Sequence, residues 1–276
     1  MTARRTALVT GATSGIGEAI ADRLHASGYH VFAVGRNPEA LQRLASRGLT
    51  ARALDVTDEA AVDQLIAEIN TDHGGVDLLV NCAGFPLTVP LEQLPLADLR
   101  NLFETNLVAA LHLSQAVLPG MRSRRAGTIV NIGSTGGRFV SPGAGGYHVI
   151  KYGMEALSLA LRTEVAPFGV RVVLMDPTGV WTPFVMSHLE ETPTYSADDP
   201  YADFKRNYAE NTKRLSSTPG VMVKPETVAR AVVRAAESKN PKPRYIVGAS
   251  GKVTLLARAL MTDRMWERIL RRGLRH

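Results

Sequence analysis

The chain has one cysteine, Cys82, in 276 residues. That excludes an internal disulfide framework and fits a reducing compartment. No apolar run approaches the roughly 20 residues that a membrane-crossing helix needs, and Met1 to Arg5 lead straight into a strand pattern. The expectation is therefore a cytoplasmic protein with no signal peptide and no integral membrane segment. Repeats and low-complexity tracts are missing. The seven histidines show no metal-ligand spacing, so no metal site is expected. The formal charge of +6 is not spread as a patterned basic face interleaved with aromatics, which argues against a nucleic-acid partner. Seven basic residues, against two acidic ones, follow Gly251. A solvated helix face is the first expectation for these, with anionic lipid or nucleic acid as the alternative.

What is present is an alternation of short apolar runs and helical patterns. Strands are expected at Ala7–Val9, His30–Val34, Ala51–Leu54, Val76–Val80, Gly127–Ile132, Val170–Met175 and Arg244–Val247. Between them lie helical stretches, among them Pro38–Arg47, Asp58–Asn70, Leu96–Met121, Gly146–Phe168 and Pro225–Ser238. Strands separated by single helices predict an α/β fold with a doubly wound parallel sheet of about seven strands, in one domain spanning 1–276. The stretch 182–224 breaks the alternation and is too long for a connection, so it reads as a substrate lid. It carries Phe184, Met186, Leu189, Tyr195, Tyr201, Phe204 and Tyr208, with pinning to the core and substrate contact equally open. A helical tail occupies 251–276.

Thr10-Gly-x-x-x-Gly-x-Gly17 links the first strand to the first helix. Gly11, Gly15 and Gly17 let backbone turn and approach a ligand, and the helix beyond points free N–H groups at that place. Thr13, Ser14 and Ile16 complete the loop. A dinucleotide pyrophosphate suits it, although such a pattern alone also fits an ordinary turn. After the second strand, an acidic residue would hold ribose hydroxyls, but Gly35-Arg36 stands there instead. A guanidinium suits a 2′-phosphate, which favours NADP over NAD; the alternative is a surface arginine. Ser14 offers no second charge, so the preference rests on Arg36. Asp55 is placed to accept from an adenine amine with Val56 beside the ring. Asn81-Cys82-Ala83-Gly84 brings backbone close to the cofactor, with Cys82 read as a small packed residue.

Tyr147 and Lys151 are one helical turn apart on one face. A close ammonium stabilises a phenolate and makes a tyrosine usable as acid or base near neutrality. Tyr201 and Lys205 repeat the spacing. However, thirteen residues before Tyr147 stands Ser134, directly after a strand, whereas thirteen before Tyr201 stands His188, inside the irregular segment. The chemistry is therefore assigned to Tyr147, and Tyr201 to the lid.

Taken together, the glycine loop, Asn81-x-Ala-Gly84, Asn106, Ser134, Tyr147-x-x-x-Lys151 and Pro177-x-Gly-x-x-Thr182 resemble the short-chain dehydrogenase/reductase family in its single-domain Rossmann form, over roughly residues 5 to 248. The resemblance implies NAD(P)(H)-dependent interconversion of alcohol and carbonyl. It implies Tyr147 as acid/base and Ser134 as the group polarising the substrate oxygen. Lys151 would hold the nicotinamide ribose and assist Tyr147, and Asn106 would anchor a relay water. Pro177, Gly179, Val180 and Thr182 would bracket the nicotinamide. NADP(H) is the expected cofactor, with NAD(H) possible.

The sequence departs from the family pattern at Cys82, Thr178, His148 and Ile150. Thr178 replaces a glycine, which questions the backbone there, because a β-branched residue disfavours positive φ. His148 reads as packed or outward-facing rather than as a second proton donor. The tail resembles that of members acting on steroids, retinoids and similar lipophilic compounds. Core packing is the first expectation for its terminal helix, a partner subunit the next, and membrane-surface contact a minor alternative. The expected substrate is a small-molecule carbonyl or alcohol. A 3-oxoacyl-carrier-protein reductase, a polyol dehydrogenase and a non-catalytic cofactor-binding regulator are the rival readings. A homodimer or homotetramer through helices 96–121 and 146–168 is implied.

Overall fold

The computed structural model describes residues 4–182 and 198–273. The strands are β1 (Thr6–Thr10), β2 (His30–Gly35), β3 (Thr50–Ala53), β4 (Leu78–Asn81), β5 (Gly127–Ile132), β6 (Val170–Pro177) and β7 (Arg244–Val247). They form one parallel sheet in the order β3-β2-β1-β4-β5-β6-β7. The order reverses between β1 and β4, and in such sheets ligands settle beyond the carboxyl ends of the strands at the reversal.

Both faces of the sheet are covered, so its strands read as apolar runs rather than as apolar–polar alternation. Successive side chains serve opposite faces. Leu8, Leu79, Ile129 and Val172 pack with Val62, Ile66 and Ile69 of α3 (Glu59–His73) and with Leu113, Val117 and Met121 of α5 (Ala109–Arg124). On the other face, Val9, Val31, Val80, Val130 and Val173 pack with Ile20 and Leu24 of α1 (Gly15–Ala26) and with Val228 and Val232 of α8 (Pro225–Glu237). Two helix starts are closed by side chains: Asn37 accepts from Ala40 N at 2.9 Å to open α2 (Pro38–Ser46), and Asp58 accepts from Ala61 N at 3.0 Å to open α3.

The expected continuous helix 96–121 is interrupted. A π turn at Glu104–Val108 separates α4 (Leu96–Phe103) from α5. One extra residue in a turn rotates the remainder of the helix about its axis. Here it lets Asn106 face the loop after β4 while Leu102 before it and Ala109, Ala110 and Leu113 after it stay buried.

A polar ladder crosses the interior beneath this turn. Asn81 Nδ2 donates to Asn131 Oδ1 (2.8 Å), Ser114 Oγ and Ala110 O, and Asn131 Nδ2 donates to Ser158 Oγ (2.9 Å). It ties β4 and β5 to α5 and to α6 (Gly145–Val165).

Of the expected lid, residues 183–197 with Phe184, Met186, His188, Leu189 and Tyr195 lie outside the described residues. The remainder contains α7 (Ala202–Ser217). The tail forms α9 (Ala249–Leu260) and α10 (Asp263–Gly273). Its packing onto the protein is one-sided: Gly251 and Leu255 are buried, while Val253, Leu256 and Leu260 are exposed.

Asn131→Ala removes two buried hydrogen bonds, from Asn81 Nδ2 and to Ser158 Oγ, while Asn81 keeps Ala110 O and Ser114 Oγ and Ser158 keeps Met154 O. A loss of about 1–3 kcal/mol is expected, two bonds at about 0.5–1.5 kcal/mol each, and urea unfolding measures it.

Candidate active site

The site begins where β1 turns into α1. A carbon atom placed on Gly17 would stand 2.1 Å from the carbonyl oxygen of Gly11, and one on Gly11 would stand 2.8 Å from the backbone of Ala83. Only glycine allows these backbones so close. Thr10 Oγ1 holds the second approach by accepting from Cys82 N and Ala83 N, both at 3.0 Å. Thr13 lies against Gly35, and Ala12 N donates to Val34 O, so the loop is anchored to the end of β2. Ser14 stands in extended backbone at the start of α1 and makes no capping bond with its side chain. The α1 amides facing the loop are thus left for another acceptor.

The segment after β6 closes over this loop. Thr182 sits against Gly15, where an added carbon would meet its methyl at 2.9 Å. The run is held by Val223 N to Gly179 O (2.8 Å), Trp181 N to Val223 O (2.9 Å) and a parallel bridge between Val180 and Val223. Pro177 ends β6. Thr178 avoids the strain anticipated for it: among the described residues only Arg125 has positive φ without being glycine. Its methyl packs on Gly248, its N–H donates to Val247 O at 2.9 Å, and its hydroxyl pairs with Ser250 at 3.3 Å.

At the far rim, Arg36 Nη1 faces Asp55 Oδ2 at 3.3 Å, with the arginine largely in solvent and the aspartate half-buried. The other oxygen of Asp55 accepts from Thr57 N and Oγ1, and these bonds, ahead of Arg36, hold its carboxyl below the usual carboxylate range. Val56 is buried and shares a shallow recess with Thr10, Ala83, Thr105 and Ala109. The Asn81 side chain donates through Nδ2 into the polar ladder and serves the scaffold, which leaves the approach expected of 81–84 to the backbone. The Asn106 side chain is likewise engaged, bonding Phe85 O at 2.9 Å and Phe85 N at 3.1 Å. It fixes the loop after Gly84 rather than projecting into open space. Cys82 packs on the core, and burial pushes its thiol up to about 12, which leaves it inert.

Tyr147 and Lys151 lie on one face of α6. Lys151 is buried, its Nζ donates to Ile132 O at 3.0 Å, and it stands 5.5 Å from the centre of the Tyr147 ring. Ser134 follows Ile132 by two residues. Its Oγ accepts from Gly136 N at 3.0 Å and caps a short turn at Thr135–Gly137. His148 is packed. Ser141 N donates to its Nε2 at 3.0 Å, so Nδ1 carries the proton and donates to Gly136 O at 2.7 Å. Burial lowers its basicity. It is a neutral strut joining both arms of the loop that carries Ser134.

The second Tyr-x-x-x-Lys pair is spent elsewhere. Tyr201 OH donates to Glu92, and Lys205 Nζ meets Asp199 at 2.6 Å. Asp199 also accepts from Gln93 at 2.7 Å, and these partners bring it down to about 2. Phe204 and Tyr208 stack 6.3 Å apart over Gly143, four residues before Tyr147.

Sequence reasoning missed a buried ionic group behind Lys151. Asp176 is 1% exposed, lies against Gly133, and faces Arg244 Nε at 3.2 Å; Arg244 also pairs with Glu155, one turn beyond Lys151. The signal was an acidic residue directly before Pro177, with Glu155 continuing the Tyr147–Lys151 stripe. Burial pushes the Asp176 carboxyl up to about 7, with Arg244 pulling the other way.

The profile of the short chain dehydrogenases matches residues 5–193. An NADPH-dependent 3-dehydrocapnine reductase of Ornithobacterium rhinotracheale is 31% identical over 286 residues, 98% of each chain. A short-chain dehydrogenase of Streptomyces avermitilis, solved by crystallography, is 33% identical with a TM-score of 0.78 over 98% of both chains. The crystal structure of an actinorhodin polyketide ketoreductase variant with NADPH is 31% identical with a TM-score of 0.75, covering 91% of this chain and 97% of that one.

Because Asp176 holds its proton more tightly when folded, its stabilising contribution is full below its unfolded value near 3.8 and is lost as pH rises through about 7. Asp176→Asn should flatten the fall in stability across that window. Denaturant midpoints of both proteins at stepped pH test this, and parallel curves would contradict it.

Proposed function

Since the chain belongs to the short chain dehydrogenase family, we propose that it is an NADP(H)-dependent oxidoreductase interconverting a secondary alcohol and a ketone or aldehyde. The observation that carries the reading is the juxtaposition on α6: Tyr147 beside the Lys151 ammonium, which is bonded to the carbonyl of Ile132, the strand end two residues before Ser134.

The glycine loop fits a dinucleotide. Gly11, Gly15 and Gly17 leave backbone bare beneath Thr182, and the N–H groups at the start of α1 face outward for a pyrophosphate. Arg36 takes the 2′-phosphate, exchanging its screened contact with Asp55 for a charged one. The NADPH in the related ketoreductase and in the name of the related reductase supports this choice. Val56 and Ala83 flank the adenine, and Pro177 to Thr182 lie along the nicotinamide end.

When bound, the nicotinamide supplies or accepts the hydride. Tyr147 then gives its phenolic proton to the developing alkoxide during reduction and takes a proton back during oxidation. Ser134 donates to the same oxygen, positioned by Gly136 and the His148 strut. Lys151, fixed by Ile132 O, keeps positive charge beside the phenolate. Asn106 shapes the loop at Gly84 and Phe85 and carries the relay water through the backbone it positions.

Phe85 and Leu87 are half-buried beside the buried Leu102 and Ile150, and Phe204 and Tyr208 roof the approach to Tyr147. Such walls favour a lipophilic carbonyl over a polyol, with segment 182–224 as the lid. Exposed Phe103 on α4 and Val149, Tyr152 and Leu159 on α6 support assembly as a homodimer or homotetramer. Among the described residues no helix is long and apolar enough to cross a membrane, and a cytoplasmic place fits the single cysteine.

NADPH oxidation across steroid, retinoid, acyl and sugar carbonyls should single out an apolar class; turnover confined to sugars would reverse the substrate assignment. Tyr147→Phe should cut kcat about 100- to 10,000-fold, the worth of a positioned acid, while NADPH binding by fluorescence stays within a few-fold. Arg36→Asp should weaken NADPH binding about 10- to 100-fold, as expected for losing a charged hydrogen bond, and bring NADH level with it. An unchanged preference would remove Arg36 from the phosphate.

A further inference from the structure

We propose that α9 and α10 together form a docking surface for an anionic lipid bilayer. The proposal stands apart from the reaction assigned above, and its test does not need turnover.

On α9, Leu255 and Gly251 turn inward, and the opposite side presents Val253, Leu256 and Leu260, which are 66%, 64% and 78% exposed. Positions i, i+3 and i+7 share one stripe of a helix, and this stripe carries no charge. On α10, Trp266 packs edge-on against Phe139 at 5.8 Å, so that side faces the protein. Met265 and Ile269 remain exposed, and Arg268 and Arg272 fall on the same face by their i+3 and i+7 spacing, with Arg264 beside them. Arg258 pins the corner between the helices: it donates to Met261 O at 3.2 Å, pairs with Asp263 at 2.5 Å and lies 5.9 Å from the Trp266 ring centre. Arg271 pairs with Glu267. Lys252, Arg264, Arg268 and Arg272 have no ion pair among the described residues.

An apolar stripe bordered by unpaired cations, on helices too short to span a bilayer, suits the boundary between headgroups and acyl chains. Apolar side chains enter the acyl boundary while guanidinium groups meet lipid phosphates. Charge decides against the other occupants. A two-fold pairing of this face with itself would set the arginines of one copy against those of the other, a like-charge contact that costs affinity. A nucleic acid would leave Val253, Leu256 and Leu260 without a partner. The surface is also joined to the cleft by packed rings, because Phe139 lies 6.1 Å from His148, the strut of the Ser134 loop.

Flotation of the full chain with phosphatidylglycerol–phosphatidylcholine vesicles tests the proposal, with pure phosphatidylcholine vesicles alongside. Binding should require the anionic lipid and fall as salt is raised. Leu256→Ser with Leu260→Ser, and separately Arg268→Glu with Arg272→Glu, should each weaken it about tenfold or more, at the roughly tenfold per 1.4 kcal/mol conversion. The substituted side chains are all exposed, so thermal midpoints should stay with the parent. Three results would each overturn the proposal. The first is equal or absent binding to both vesicle types at low salt. The second is anionic binding that ignores the leucine pair. The third is a leucine-pair variant whose only change is a smaller mass in light scattering, which would assign the face to a second copy.

Discussion

The distance between Gly17 and the carbonyl of Gly11 leaves no space for one carbon atom, and the rest of the site is built around that approach. Because α1 starts so close to the end of β1, its first amides open directly above the sheet's switch point. Because Gly11 in turn touches the backbone after β4, the loops of β1 and β4 make a single floor, tied by the Thr10 hydroxyl. Thr182 reaches this floor from β6 and rests on Gly15. Three strand ends far apart in sequence are thereby brought to one place, which a side chain at any of these glycines would push apart.

The groups proposed for the chemistry sit on a second frame, distinct from the first. Lys151 is fixed by the carbonyl of Ile132, His148 by Gly136 and Ser141, and Ser134 by Gly136. Each of these bonds ends on backbone, which cannot rotate away, so the hydroxyl, imidazole and ammonium are held without help from flexible partners. Behind them, Asp176, Arg244 and Glu155 form a charged layer that stays largely dry. That layer costs desolvation and binds α6 to β6 and β7. It is the part of the site whose stability responds to pH near neutrality.

Much of the plan was legible in the residues. The alternation of buried runs and amphipathic helices predicted a parallel sheet covered on both faces, and the seven strands fall within a residue or two of their expected places. The glycine loop, Ser134 and the Tyr147–Lys151 turn were readable because each depends on local spacing. The sequence also separates the two Tyr-x-x-x-Lys pairs, since only Tyr147 follows a strand end carrying a hydroxyl, and in the fold Tyr201 and Lys205 bond Glu92 and Asp199. Less legible was the π turn at Asn106. It places Asn106 against Phe85, twenty-one residues away, and nothing in the periodicity of 96–121 announces it.

The fold class, the position of the glycine loop and the spacing of Ser134, Tyr147 and Lys151 are readable from the chain, because those depend on local conformational preference and on periods of 2 and 3.6 residues. The folded structure settles what depends on contacts between distant segments. It showed that Asn81 belongs to an internal ladder and that His148 is a neutral strut. It showed that Thr178 sits without strain against Gly248, and that Asp176 shares Arg244 with Glu155. It also showed that half of the apolar tail faces outward. A side chain's partner across the sheet is set by the register of strands and the rotation of helices, and no stretch of chain carries that information alone.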